Sequence, residues 1–120
     1  MLDKIEIKNA KITSTMFGRE DHGILTFVIY VDICDGTSCG IGGYALDQRV
    51  HGSRIYSAAG LEAMALLMET VGVNCWEELP GKYVRVRTNG WGKPIDAIGN
   101  LMDENWLDLR KWFEQFADKT

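Results

Sequence analysis

The chain has 120 residues, 46% of them hydrophobic and 25% charged, and a formal net charge of −4. These figures suit a single domain spanning residues 1–120 around one core, and argue against disorder. The acidic balance argues against wholesale binding to duplex DNA or RNA, which needs a basic face, but leaves room for a local basic pocket.

No stretch approaches the roughly 18 apolar residues of a membrane span. The opening Met1-Leu2-Asp3-Lys4 alternates charged and apolar residues, unlike a signal peptide, so no membrane partner and a cytoplasmic location are expected. The cysteines Cys34, Cys39 and Cys75 are odd in number and match no zinc spacing. Cys34 and Cys39 can face each other across a turn, but packed thiols are the plainer expectation in a reducing compartment.

Lys4 to Thr15 reads as a first strand, with Ile12 out of phase with Ile5 and Ile7 and hence a bulge near Asn9-Ala10. Gly18 to Gly23 reads as a turn, and Ile24 to Asp32 carries the strongest strand signal. Asp35 to Ser38 makes a hairpin turn into a return from Cys39 to Leu46, loosened by Gly40, Gly42 and Gly43. Asp47 to Arg54 is polar and reads as a loop. Ser57 caps a predicted helix with apolar positions Leu61, Met64, Ala65, Met68 and Val71, ended by Gly72. Asn74 to Leu79 fits one helical turn, with Asn74 and Glu77 in a capping arrangement.

Lys82 to Asn89 alternates cleanly as a strand, Gly90-Trp91-Gly92 turns the chain, and Ile95 to Met102 returns. A last helix follows Asp108, with Leu109, Trp112, Phe113 and Phe116 at helical spacing. Strands joined mostly by hairpins, with two main helices packed on them, make an α+β domain with an antiparallel sheet of about five strands.

Enzyme signatures fail. His22 and His51 both fall in predicted loops, outside any nucleophile motif, and cannot complete a zinc site alone. Asp21-His22 can form an acid–base pair, but neighbouring polar residues in a turn are more simply solvated. Gly40-Ile41-Gly42-Gly43-Tyr44 lacks the Lys-Ser/Thr of a phosphate loop, and instead suggests a place where something packs tightly. No catalytic residue, metal or cofactor is expected.

The period of two in Lys82 to Asn89 sets Val84, Val86 and Thr88 on one face and Tyr83, Arg85, Arg87 and Asn89 on the other. The second face can stack on a base, neutralise a phosphate and hydrogen-bond a base edge, or it can be a wetted sheet surface. Arg49, Arg54, Tyr56, Trp91, Trp106 and Arg110 add aromatic and basic groups in predicted loops or at helix ends. Trp91, between two glycines, reads as a contact residue, and Trp112 as core.

Several segments together resemble a family of small phage proteins. They are Lys8-Asn9-Ala10-Lys11-Ile12-Thr13-Ser14-Thr15, Glu20-Asp21-His22-Gly23-Ile24-Leu25-Thr26 and Gly42-Gly43-Tyr44-Ala45-Leu46-Asp47. Trp76-Glu77-Glu78-Leu79-Pro80-Gly81-Lys82-Tyr83-Val84-Arg85-Val86, Trp91-Gly92 and Ala97-Ile98-Gly99 complete them, so the resemblance covers most of the chain. It is similar to the first-described Thoeris anti-defence family, the sponge proteins that sequester a cyclic ADP-ribose isomer made by a bacterial immune sensor.

The resemblance implies a non-catalytic binder in the cytoplasm of an infected bacterial host, assembled as a dimer or an assembly of dimers with pockets near subunit boundaries. Cyclic oligonucleotides at separate sites are a further implied ligand class. It implies that Tyr83, Arg110 and Asn89, or Asn100 in place of Asn89, hold the nucleobase; Arg54 is a candidate phosphate contact, and Arg85 and Trp91 complete the ligand set. The alternatives are a phage inhibitor that binds a host protein directly, using exposed tryptophans as hot spots, and a nucleotide hydrolase built on Asp21 and His22.

Overall fold

A computed structural model describes residues 5–20, 22–88 and 94–116. Strands β1 (Glu6–Arg19), β2 (Leu25–Ile33), β3 (Ser38–Gly42), β6 (Tyr83–Thr88), β7 (Ile95–Asn100) and β8 (Trp106–Asp108) form one antiparallel sheet in the order β3-β2-β1-β6-β7-β8. β4 (Asp47–Val50) and β5 (Ser53–Tyr56) form a separate two-stranded ribbon. Helices α1 (Ala58–Val71) and α2 (Leu109–Glu114) pack over β7 and β8. The domain is α+β, as the hairpin-linked pattern predicts.

The core lies between that sheet face and the helices. Alternation sends Phe27, Ile29 and Val31 of β2, Val84 and Val86 of β6, and Ile98 of β7 inward to meet Leu67 and Leu109. The opposite face carries Ile7, Tyr30 and Tyr83, all exposed, and no described helix covers it.

Several boundaries differ from the sequence expectation for physical reasons. β1 runs on to Arg19, and its register shift falls between Ile12 and Ser14, not at Asn9-Ala10. Pairing on both sides of β1 holds Asn9 and Ala10 in regular register with Arg85 and Val84. β3 stops at Gly42, whose φ of 120° and approach to the Phe27 carbonyl (2.6 Å from where a Cβ would sit) admit only glycine.

Asp47 to Tyr56, read in part as a loop, is a hairpin with His51 and Gly52 at φ 49° and 81°, the signs of a two-residue turn that follows the strand twist. β8 is a further unexpected strand. The short turn over Trp76–Glu78 is capped by the Glu78 carboxylate, which accepts from the amides of Asn74 and Cys75, one residue along from the Asn74–Glu77 pairing expected.

Ser57 and Gly72 cap α1 as expected, with the Gly60 amide donating to Ser57 Oγ and Gly72 at φ 94°. The buried face is rotated, however. Gly60, Ala63, Leu67 and Thr70 face inward, while Leu61 is 72% exposed. A Cβ on Gly60 would stand 3.0 Å from the Leu46 backbone, so the bare glycine lets α1 come down on that side. Close approach outweighed the apolar count.

Asp108 caps α2 by accepting from the Lys111 amide at 2.9 Å. The three cysteines are free, and Cys34 and Cys75 are exposed, so only Cys39 is partly packed as expected. No described helix is long and apolar enough to cross a membrane.

Candidate functional site

Two clefts of about 530 and 570 Å³ lie side by side and share Tyr44 and Phe113. Both volumes fall within the range of small-molecule sites. The shared rings stack with centroids 4.8 Å apart and planes 10° off parallel. Tyr44 is set by its backbone: the buried Thr26 hydroxyl donates to the Tyr44 carbonyl at 2.6 Å, while Leu46 N donates to Leu25 O. Phe113 is set by α2, which Asp108 caps and Trp112 ties to α1 through an indole N–H donated to the Ala59 carbonyl at 3.0 Å.

The first cleft runs from this stack to the β4–β5 ribbon and is walled by Gln48, Arg49, Arg54 and Phe116. The start of α1 also borders it, with no acidic side chain in the first turn to oppose an anion. Arg54 is held by an ion pair to Asp47, whose side chain is only 5% exposed. Across the ribbon, Arg49 stands directly opposite Arg54 and has no side-chain partner among the described residues.

The second cleft is lined by Ile95, Asp96, Arg110 and Glu114. Arg110 there pairs with Glu114 at 3.1 Å. Partial burial, then the nearby Asp108 carboxylate, raise the Tyr44 hydroxyl above its ordinary pKa, so near neutrality it is a protonated donor between the clefts.

Those of the sequence-predicted residues that the structure describes do not converge within one chain. Arg54 lines the first cleft and Arg110 the second. Tyr83, 58% exposed, lies on the open sheet face with the Lys11 ammonium 5.7 Å from its ring centroid. Asn89 and Trp91 lie outside the described residues, as does Asp21 of the hydrolase alternative. His22 is exposed, and neither it nor His51 lines either of these two clefts.

Arg85 is turned to internal partners. Its Nε donates to Asn100 O at 2.8 Å, Nη2 to Asp103 O at 2.7 Å and Nη1 to Glu104 Oε1 at 2.9 Å, while its plane lies 4.9 Å from the Trp106 ring centroid. The donated bonds hold Glu104 below the usual carboxylate range. Asn100 closes the same loop, accepting from the amides of Met102 and Asp103 and donating to Thr70 O. Arg87 bonds Asp108 at 2.5 Å. At Tyr83 this strand face is wetted, as one of the two alternatives had it, while Arg85 and Arg87 take a third state, a latch over Trp106.

Tyr44, Phe113, Arg49 and Gln48 were not among the expected ligand residues. The Gly42-Gly43-Tyr44 segment carried a usable signal, since glycines in a strand mark a close approach. Phe113 sat in a helical stripe that looks like core. Among the described residues no group of acidic, histidine and cysteine side chains is placed to hold a metal ion.

Fold and clefts define an α+β domain, one layer of antiparallel sheet under one of helices, with ligand-sized openings beside the helices. No family model matches the chain, and no curated protein or solved structure is significantly similar to it.

Proposed function

We propose that this protein is a phage anti-defence sponge that binds a cyclic ADP-ribose-type immune signal and sequesters it without cleaving it. The observation that carries this is the pair of nucleotide-sized clefts meeting at the Tyr44–Phe113 stack, with an arginine side chain on each side. Flat rings offer a base or ribose an apolar wall, and guanidinium groups answer phosphate. Sequestration needs affinity and copy number but no general base.

Tyr83 lies on the open sheet face and Arg110 in a cleft on the helix side, so one ligand touching both must draw on two copies of the chain. That fits the homo-oligomer with boundary pockets that the family resemblance implies. A second reading, a phage inhibitor that docks on a host protein, draws on the same uncovered face, where Ile7, Tyr30 and Tyr83 are exposed.

The test is isothermal titration with the cyclic ADP-ribose isomer made by a Thoeris sensor, followed by heating and chromatography of the released ligand. Tight binding and recovery of intact ligand support sequestration, with Arg110→Ala and Tyr83→Ala weakening it. No heat of binding moves the weight to a host protein, and an altered ligand revives catalysis.

A further inference from the structure

The β4–β5 ribbon places two guanidinium groups where its own stability does not call for them. Arg49 and Arg54 are directly opposed in register, so their side chains leave the same face with Cβ atoms about 5 Å apart. Like charges in that relation destabilise a hairpin. Every residue of the ribbon from Gln48 to Tyr56 is exposed, so burial offsets little of the cost.

Asp47 compensates only one of the two. Its nearly buried carboxylate takes Arg54 Nη1 and fixes that side chain, leaving Nε and Nη2 of Arg54 open. Among the described residues no side chain takes a donor of Arg49. Next on the same face the Tyr56 hydroxyl accepts from a third guanidinium, Arg19, at 2.7 Å. In a chain of net charge −4, the described residues bring Arg49, Arg54 and, through Tyr56, Arg19 of β1 to this face beside the Asp47 carboxylate.

We infer that Arg49 and Arg54 form a two-pronged clamp for a diphosphate group, with Asp47 as the positioning residue for Arg54. Two guanidinium groups spaced across one ribbon match two linked phosphoryl groups better than a single phosphate, because each can take one group through paired N–H donors. The clamp borders the first cleft beside Phe116 and Gln48, so a diphosphate held there extends its organic portion toward the Tyr44–Phe113 stack. The clamp deepens the nucleotide reading of this cleft and rests on it.

The test titrates the full chain with inorganic pyrophosphate and, separately, with orthophosphate. Expected is saturable pyrophosphate binding at least about tenfold tighter than orthophosphate, and about tenfold weaker in Arg49→Gln. Arg49 has no side-chain partner among the described residues, so that variant folds as the parent does. Arg54→Lys, which keeps the charge and spares Asp47 an unpaired burial, also weakens pyrophosphate binding, while the exposed Lys82→Gln leaves it unchanged.

Equal affinity for the two anions, or an Arg49→Gln chain that binds like the parent, overturns the clamp. The same variants titrated with the cyclic ADP-ribose isomer separate the two ideas. Nucleotide binding indifferent to Arg49→Gln defeats the clamp and leaves sequestration standing. Pyrophosphate binding that needs Arg49, without nucleotide binding, upholds the clamp and defeats sequestration.

Discussion

Replacing Gly99 with alanine tests how tightly the Arg85 latch is built. Gly99 faces Trp106 across the β7–β8 pair, and an added Cβ would lie 2.6 Å from Cδ2, 2.7 Å from Cε3 and 2.8 Å from Cε2 of the indole. Carbon atoms in contact sit about 3.5–4.0 Å apart, so the ring must withdraw by about 1 Å. It cannot do so freely, because the Arg85 guanidinium stacks 4.9 Å from its centroid and is itself anchored by three hydrogen bonds.

Overpacking of this kind costs about 1–3 kcal/mol, and disturbing the cation–π contact adds about 0.5–1 kcal/mol. Relief of glycine's chain entropy returns about 0.5 kcal/mol. The expected net loss is about 2 kcal/mol, read as a lower urea midpoint at unchanged slope. Trp106→Ala alone also destabilises, but the double variant must cost about 1–2 kcal/mol less than the two singles together, because the clash is gone. A Gly99→Ala chain within about 0.5 kcal/mol of the parent, or strictly additive variants, refutes the tight stack.

Trp112→Phe removes the indole donor that joins α2 to the Ala59 carbonyl and should cost about 1 kcal/mol in the same denaturation assay. Asp108→Ala removes both the α2 cap and the Arg87 partner and should cost about 2 kcal/mol, with Asp108→Asn, which keeps a capping oxygen, costing about half. The Lys8 ammonium, 2.6 Å from Asp35, is the largest influence holding that carboxyl at about 2, below its ordinary 3.8. Because the folded value is the lower one, this stabilisation is present above pH 3.8 and is lost as the pH falls from there through about 2. In Lys8→Ala the Asp35 carboxyl, followed by NMR, should titrate nearer 3.8, and stability should fall less steeply over that window.

The legible parts of this chain were those governed by neighbours in sequence. The caps at Ser57, Gly72 and Asp108 and the inward Val84 and Val86 follow from short-range chemistry and from a strand period of two. Arg54 and Arg110 were legible as cations beside helices, and both border clefts. The cleft floor was not legible, because Tyr44 and Phe113 lie 69 positions apart in the chain and meet only after the helices dock. The role of Arg85 was hidden for the same reason. Its partners Asn100, Asp103, Glu104 and Trp106 come to it across two strand pairings.

By itself, the sequence determined the class of fold, the helix caps at Ser57, Gly72 and Asp108 and the face of β6 that turns inward, since each depends on local backbone preference and alternation. Tertiary structure decided which side of α1 is buried, because the bare Cα of Gly60 against Leu46 outweighed the apolar stripe that begins at Leu61. It decided that the polar run after Leu46 is a ribbon, and so that Arg49 and Arg54 stand opposed. It also turned Arg85 into a latch while leaving Tyr83 exposed, since packing and charge pairing between distant segments settle which side chains remain available to a ligand.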